Sequence, residues 1–214
     1  MKKVVAFDFD GTIAETITMC IEAFCESVSP YSDHELTEQE VVQTFGLNET
    51  GMVKAVVKHN WQQALCDFYK RYTALHRAIT EPYPGIRELI IWLKAHNVFV
   101  ALITGKGEQS CAISLKALNM ENIFDEILCG SEKSPNKAER IECLLKKHAV
   151  SKSDFYYIGD TVQDIYACRK VGVTCLSAAW QDIPYTDILE KENGNLIFYS
   201  VAQLQQYLSK LWLC

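Results

Sequence analysis

Short apolar segments alternate with amphipathic helical segments through most of this chain, and this alternation constrains its fold more than any other feature. The predicted strands are Val4–Phe7, Val98–Ile103, Glu126–Cys129, Phe155–Ile158, Val173–Leu176 and Leu196–Phe198. The predicted helices among them are Ile86–His96, Glu108–Leu118, Lys137–His148, Val162–Lys170 and Val201–Lys210. This order is typical of parallel strands joined by right-handed crossovers. We therefore predict an α/β fold with an open parallel sheet.

The segment between the first two predicted strands differs from the rest of the chain. It has no strong strand pattern, and its apolar residues recur at helical spacing, as in Trp61, Leu65, Phe68 and Tyr72. The proline-containing turn Glu81–Gly85 ends it. We expect about four helices here. The predicted domains are an α/β core of residues 1–14 and 82–214 and a helical cap of residues 15–81.

Composition narrows the possible partners of the chain. The formal net charge of −6 argues against a nucleic-acid partner, which needs a basic face. No apolar run approaches the roughly 20 residues of a membrane span, and no uncharged signal-peptide core precedes Asp8. The nine cysteines lack paired spacing and are expected to be reduced. We expect a cytoplasmic protein that binds neither membrane nor nucleic acid.

Polar residues follow four of the predicted strands, at the edge of the sheet where ligands bind in open α/β folds. These residues are Asp8, Asp10, Gly11 and Thr12 after the first strand, Thr104, Gly105 and Lys106 after the second, Ser131, Lys133 and Lys137 after the third, and Gly159, Asp160, Thr161 and Asp164 after the fourth. Each group alone is compatible with an ordinary turn or helix cap. Together they are suited to one phosphoryl-transfer site.

The motifs "DFDGT", "ITGK", a lysine that opens a helix and "GDTVQD" resemble the four-motif set of the haloacid-dehalogenase-like hydrolases. More narrowly, the chain is similar to their phosphoglycolate-phosphatase-like branch, in which a helical cap separates the first motif from the rest of the sheet. The resemblance covers essentially the whole chain. It implies a Rossmann-like core with a helical cap domain inserted after the first strand.

The resemblance also implies roles for the strand-end residues. Asp8 would be the nucleophile, and Asp10 would protonate the leaving alcohol and later deprotonate the attacking water. The family places Mg²⁺ on the Asp8 side chain, the Asp10 carbonyl and the Asp160 side chain, with Asp164 orienting the metal shell or the lysine. The groups expected to bind the phosphoryl oxygens or the substrate are Gly11, Thr12, Thr104, Gly105 and a lysine.

Two lysines are candidates for that position. The family lysine often stands in a Lys-Pro pair, and this chain has "SEKSPNKAER" instead. Lys137 starts the predicted helix, and its spacing to Asp160 is like that of family members without the pair. We favour Lys137, with Lys133 as the alternative.

Two cap residues are candidates for substrate contact. The loop "FGLNETG" separates two predicted cap helices, and in resembling proteins the equivalent loop reaches over the active site. Asn48 of this loop would then bind substrate, or it would be the N-cap of a helix from Glu49 to Val57. Glu15 would contact substrate or form part of the cap hinge.

The resulting interpretation is a Mg²⁺-dependent phosphatase that hydrolyses a small phosphorylated metabolite, such as phosphoglycolate or a sugar phosphate, through an aspartyl-phosphate. We expect a monomer or a homodimer. The alternatives are a sugar-phosphate mutase of the same fold, or a non-catalytic phospho-acceptor or binding module. A 2-haloacid dehalogenase is disfavoured because it needs neither Asp10 nor Asp160. Phosphonate cleavage would need a cap lysine, for which Lys54 and Lys58 are the candidates.

Overall fold

Parallel strands form one sheet in the computed structural model, which describes residues 2–181 and 186–213. The strands are β1 (Val4–Phe7), β2 (Phe99–Ile103), β3 (Glu126–Leu128), β4 (Phe155–Gly159), β5 (Thr174–Ala178) and β6 (Ile197–Phe198). Their spatial order is β3-β2-β1-β4-β5-β6, and every neighbouring pair is parallel. The predicted α/β open parallel sheet is therefore confirmed.

Strand β1 lies near the middle of the sheet and is buried along its whole length. Val5 pairs with Val100 of β2 on one side and with Tyr156 of β4 on the other. The chain runs from β1 through β2 to β3 at one edge, then returns to β4 on the far side of β1. Such a reversal opens a crevice at the carboxyl ends of the strands. The residues that follow β1 and β4 therefore enter one crevice.

The described residues form α-helices of two groups, one that covers both faces of the sheet and one that packs as a separate cluster. In chain order they are α1 (Ile17–Val28), α2 (Glu38–Gln43), α3 (Glu49–Val56), α4 (Trp61–Leu75), α5 (Ile86–Ala95), α6 (Glu108–Ala117), α7 (Lys137–His148), α8 (Val162–Val171), α9 (Thr186–Asn193) and α10 (Val201–Leu213). One core layer joins α5, α6 and α10 to the sheet, and the opposite layer joins α7, α8 and α9. This arrangement matches the Rossmann-like core expected from the resemblance.

Most predicted helices and strands lie within a few residues of their observed bounds, but α9 was not predicted from the sequence. Its segment is mostly polar, and among its described residues Leu189 is the buried one. A single apolar anchor produces no helical period in the sequence.

The four helices α1–α4 share an apolar cluster of their own, in which Phe24, Phe68 and Tyr72 are fully buried. Phe68 contacts both other rings, with its centroid 5.8 Å from that of Phe24 and 5.5 Å from that of Tyr72. We call these helices the cap. The limits of the cap and core domains at residues 14/15 and 81/82 stay a prediction.

Within residues 2–181 and 186–213, no helix combines the length and the apolar character that crossing a membrane would require.

Candidate active site

Asp8 follows β1 directly and is held in place by the sheet. Its backbone N–H donates to the Ile158 carbonyl at 2.8 Å, which continues the pairing of β1 with β4. Its carboxylate accepts from the Phe9 N–H at 2.8 Å through Oδ1, and the Lys137 ammonium lies 2.5 Å from Oδ2. The residue is 5 % exposed. The strand end therefore presents a fixed, nearly buried carboxylate.

Asp160 follows β4 and is fully buried beside Asp8. Thr12 donates through its hydroxyl to Asp160 Oδ1 at 3.2 Å, and Gln181 donates to Oδ2 at 3.2 Å. Gly11 has φ +74°, and a Cβ there would lie 2.1 Å from Asp160 Oδ2. The structure thus places Gly11 and Thr12 against Asp160, although we expected them to contact the phosphate.

Asp164 lies in the first turn of α8 and is fully buried. It forms a capping box with Thr161, whose N–H and hydroxyl donate to Asp164 Oδ2 at 3.1 and 2.6 Å. A Cβ at Gly159 would lie 2.6 Å from Asp164, so only glycine lets the carboxylate approach β4 this closely. Oxygens of Asp8, Asp160 and Asp164 all lie within 4.8 Å of one another. We call these residues the carboxylate cluster.

The structure places Lys137, and not Lys133, against this cluster. Lys137 is the first residue of α7, and its Nζ lies 2.5 Å from both Asp8 Oδ2 and Asp164 Oδ1. Burial alone would lower the pKa of Lys137, but the two carboxylates raise it above its usual range. Lys133 is exposed, and its backbone N–H donates to the Ser131 hydroxyl.

The carboxylate cluster has more negative charge than Lys137 offsets. Burial raises the pKa of Asp8 to about 7, and the charges of Asp164 and Asp10 add to this while Lys137 opposes it. Burial and the charges of Asp8 and Asp164 likewise raise the pKa of Asp160 well above its usual range. Buried carboxylates gathered in this way need added positive charge. A hard divalent cation prefers oxygen ligands of this kind, so the residues fit a metal site.

The segment after β2 supplies Thr104 and Gly105. Thr104 is fully buried, its N–H donates to the Leu128 carbonyl at 3.1 Å, and its hydroxyl accepts from the Lys106 N–H at 3.1 Å. Gly105 lines the same pocket as Asp8. Both residues thus lie at the carboxyl edge of the sheet, and their contact with a phosphoryl group stays a prediction.

Sequence reasoning did not assign a role to Lys106, although it belongs to the "ITGK" motif. Its side chain is 2 % exposed, and its Nζ lies 2.9 Å from Asp10 Oδ1 and 2.8 Å from the Tyr72 hydroxyl. Asp10 Oδ1 also accepts from the Thr16 hydroxyl. The Asp10 carboxylate is therefore turned toward the cap, apart from the carboxylate cluster. Its position in a strand-end motif could have indicated a role for Lys106. The contact with Tyr72 on α4 could not be predicted, because Tyr72 lies far from Lys106 in the sequence.

Asn48 and Glu15 are the two cap residues that we expected to contact substrate. Neither lines the pocket that contains Asp8. Asn48 is the N-cap of α3, where its Oδ1 accepts from the Gly51 N–H at 3.1 Å, and its Nδ2 donates to the Gly130 carbonyl at 3.5 Å. Glu15 is exposed and accepts from the Thr18 hydroxyl. Asn48 thus acts as the helix cap that was its alternative interpretation.

Glu49 instead joins the cap to the core. The residue is 3 % exposed, and its carboxylate accepts from the Gly107 N–H at 2.7 Å and from the Ser110 hydroxyl at 2.5 Å. Both donors lie at the N-terminus of α6, where a negative charge is favoured. The Asn48 N–H donates to the Ser131 carbonyl at 2.9 Å beside it. These contacts hold the start of α3 over the strand ends.

The pocket between cap and core is small, with a volume of about 150 Å³. Its core side is formed by Asp8, Asp10, Gly105, Lys106, Lys137 and Thr161, and its cap side by Ile17, Cys20, Phe45, Gly46, Leu47, Glu49 and Met52. A larger cavity of about 840 Å³ lies along α6 and β3, and the described residues that line it include none of the carboxylate cluster. Asp8, Asp10, Lys106 and Lys137 thus face one small pocket.

Comparison with a family model and with known proteins points to the same family. The model of the family described as haloacid dehalogenase-like hydrolase matches residues 5–178. Phosphoglycolate phosphatase 1 of Pseudomonas aeruginosa is 26 % identical over 192 residues, which cover 84 % of this chain and 70 % of that protein. The pyrophosphatase PpaX of Halalkalibacterium halodurans is 23 % identical over 171 residues, or 79 % of this chain and 80 % of that protein.

Solved structures share the fold. The crystal structure of a predicted phosphoglycolate phosphatase from Haemophilus somnus superposes with a TM-score of 0.78 at 18 % identity, covering 97 % of this chain and 98 % of that one. CbbY from Rhodobacter sphaeroides, in complex with phosphate, superposes with a TM-score of 0.69 at 19 % identity, covering 83 % and 86 %.

The carboxylate cluster generates a prediction for metal binding. Asp160→Asn removes one buried charge while keeping the side-chain volume, so we expect it to weaken Mg²⁺ and Mn²⁺ binding at least about tenfold, since even the partners of metal ligands contribute roughly 10–100-fold. Isothermal titration calorimetry of both ions measures this. The matched control is Asp33→Asn on the cap, because the Asp33 side chain is 72 % exposed. Equal affinities in the two variants would show that Asp160 holds no metal.

Proposed function

Because the chain belongs to the haloacid dehalogenase-like hydrolases, we propose that it is a Mg²⁺-dependent phosphatase of a small phosphorylated metabolite, acting through an aspartyl-phosphate on Asp8. One observation carries the proposal. Groups from separate strand ends, Asp8, Asp160, Asp164 and Lys137, come together at one crevice. The chain is a phosphoric monoester hydrolase of this family, and its relatives described above are named as phosphatases.

Asp8 is proposed as the nucleophile because it is the cluster carboxylate that also lines the pocket. One of its oxygens attacks phosphorus, the new O–P bond forms, and the bond from phosphorus to the leaving oxygen breaks. Asp10 donates a proton to that leaving oxygen. In the second step water attacks phosphorus, Asp10 takes its proton, and phosphate leaves with Asp8 restored. Acid–base help of this kind contributes roughly 10²–10⁴-fold.

The remaining core groups are proposed to bind the phosphoryl oxygens. The Lys137 ammonium lies against Asp8, where it would lie beside the phosphoryl group that Asp8 receives. The Thr104 hydroxyl and the Gly105 N–H would add donors from the end of β2. Donors fixed in a buried site stabilise the charge that develops in the transition state.

Asp8, Asp160 and Asp164 are the residues that would hold Mg²⁺, together with the Asp10 carbonyl. Bound there, Mg²⁺ would supply positive charge against the carboxylates and the phosphoryl oxygens. Thr12 and Gln181 would orient Asp160, and Thr161 would orient Asp164, because each donates to its carboxylate.

The size and lining of the pocket support a small substrate. About 150 Å³ is below the roughly 300–1,000 Å³ of common ligand sites. The cap side of the lining is mainly apolar, with Ile17, Phe45 and Met52 facing the core groups. Phosphoglycolate and other compact phosphate esters match this space, and the name of the Pseudomonas aeruginosa relative agrees with the first of them.

The alternatives to a phosphatase are less well supported. A sugar-phosphate mutase is not favoured, since the sequence relatives described above are named as phosphatases. A non-catalytic module of this fold would be expected to have lost Asp8 or Asp10, and here both residues are present and line the pocket.

The proposed nucleophile generates one prediction. Asp8→Asn should lower kcat for para-nitrophenyl phosphate by at least about 10⁴-fold, because the amide cannot form the covalent intermediate. The variant should keep the wild-type circular dichroism spectrum, because the change in volume is small. Asp33→Asn is the control and should retain wild-type kcat. Near wild-type turnover by folded Asp8→Asn would exclude Asp8 as the nucleophile.

The two lysines generate another prediction. Lys137→Ala should lower kcat/KM by about 10²-fold or more on both para-nitrophenyl phosphate and phosphoglycolate, because every substrate carries the phosphoryl group that Lys137 contacts. Lys133→Ala should change either value less than about twofold, because its side chain is exposed. A large loss in Lys133→Ala with wild-type behaviour of Lys137→Ala would reverse the assignment.

A further inference from the structure

A second buried lysine links the catalytic pocket to the interior of the cap. Lys106 follows β2, and its side chain is 2 % exposed. Its Nζ contacts one group on each side, Asp10 Oδ1 at 2.9 Å in the core and the Tyr72 hydroxyl at 2.8 Å on α4. It also lies over the rings of Phe9 and Tyr72, at 5.4 and 4.9 Å from their centroids. The ammonium is therefore fixed from both domains.

The contact with Tyr72 continues into a buried chain of hydrogen bonds. The Tyr72 hydroxyl lies 2.8 Å from Ser114 Oγ on α6, Ser114 Oγ lies 3.0 Å from His76 Nε2, and His76 Nδ1 lies 2.9 Å from the Ile79 carbonyl. Tyr72, Ser114 and His76 are each at most 1 % exposed.

Only one direction of donation satisfies this chain throughout. Lys106 has donors only, so the Tyr72 oxygen accepts from it and the Tyr72 hydroxyl donates to Ser114. The Ser114 hydroxyl then donates to His76 Nε2, which leaves the proton on Nδ1 for the Ile79 carbonyl. This tautomer requires a neutral imidazole, and burial lowers the pKa of His76 accordingly. A satisfied buried network of this kind is rigid.

The rigid end of this network meets a carboxylate that faces the pocket. The Asp10 side chain is 28 % exposed and lines the pocket, while its Oδ1 is occupied by Lys106 and the Thr16 hydroxyl. With Oδ1 held by two donors, the carboxylate cannot rotate freely toward Asp8. The contacts of Oδ1 therefore also fix the direction of Oδ2.

We propose that Lys106, anchored by Tyr72 of the cap, is a positioning residue that holds the Asp10 carboxylate at the side of the pocket where the leaving group departs. This rests on the proposed function, in which Asp10 handles the proton of the leaving alcohol. The packing of the cap interior then sets the position of the proton donor. The cap thereby contributes to leaving-group protonation without touching the reacting atoms.

The test removes the anchor and leaves both charged groups in place. Tyr72→Phe deletes the hydroxyl that Lys106 contacts but keeps the ring and the Lys106–Asp10 pair. The matched control is Tyr31→Phe, because Tyr31 also donates its hydroxyl within the cap, to Asp67 at 2.6 Å, and does not contact Lys106. Both variants are assayed with Mg²⁺ on phosphoglycolate, an alkyl ester with a poor leaving group, and on para-nitrophenyl phosphate, whose leaving group needs little protonation.

A loosened proton donor should affect the two esters differently. We expect Tyr72→Phe to lower kcat/KM for phosphoglycolate about tenfold and for para-nitrophenyl phosphate by less than about threefold. Tyr31→Phe should change both values by less than about twofold. In an Asp10→Asn background, Tyr72→Phe should have no further effect on either ester, because the group it positions is gone.

Two results would overturn the inference. One is an equal loss on both esters, which indicates a general structural effect; the other is an undiminished loss in the Asp10→Asn background. If Asp10→Asn alone leaves phosphoglycolate turnover unchanged, the proposed acid role of Asp10 fails instead. If Tyr72→Phe does not fold, Ser114→Ala serves, since it removes the acceptor of the Tyr72 hydroxyl. It should then show the same selective loss on phosphoglycolate, and equal losses would again overturn the inference.

Discussion

Electrostatic repulsion among buried carboxylates is the constraint on which the rest of this structure depends. Asp8, Asp160 and Asp164 bring oxygens within 4.8 Å of one another in a site that water hardly reaches. Burial raises the pKa values of Asp8 and Asp160, so the folded chain holds this arrangement against a cost. Lys137 offsets part of it. The remaining demand for positive charge explains why such a site suits a divalent cation and a phosphoryl-transfer reaction.

A second ion pair, Lys106 with Asp10, has a different role in the same pocket. Lys137 belongs wholly to the core and serves the carboxylate cluster, whereas Lys106 is held jointly by Asp10 and by Tyr72 of α4. Glu49 adds a further link, because its carboxylate caps α6 from the cap side. In the proposed function the phosphoryl chemistry belongs to the strand ends, and in our inference the cap fixes the position of Asp10.

Features that depend on residues close together in the sequence could be predicted. Contacts between residues far apart in the sequence could not. Asp8, Asp10, Thr104 and Asp160 follow apolar strands directly, so the sheet topology alone brings them to one crevice. The role of Lys106 depends on Tyr72, 34 residues away on a helix whose apolar period shows only that Tyr72 is buried. Gly11 and Thr12 pack on Asp160, a contact across 148 residues that no local pattern encodes. Asn48 caps α3, as its alternative interpretation expected, and its contact with substrate stays a prediction.

The central claim is that Asp8 becomes covalently phosphorylated during turnover, and direct detection of that species tests it best. The enzyme is mixed with Mg²⁺ and excess phosphoglycolate, quenched in acid during the steady state, digested and analysed by mass spectrometry. The account predicts one phosphoryl group on the peptide that contains Asp8. This group should be lost when the quenched protein is treated with hydroxylamine. It should be absent from the Asp8→Asn variant, in which Asp10 is unchanged. Rapid turnover with no phosphoryl group on that peptide, or with the group on another residue, would contradict the account.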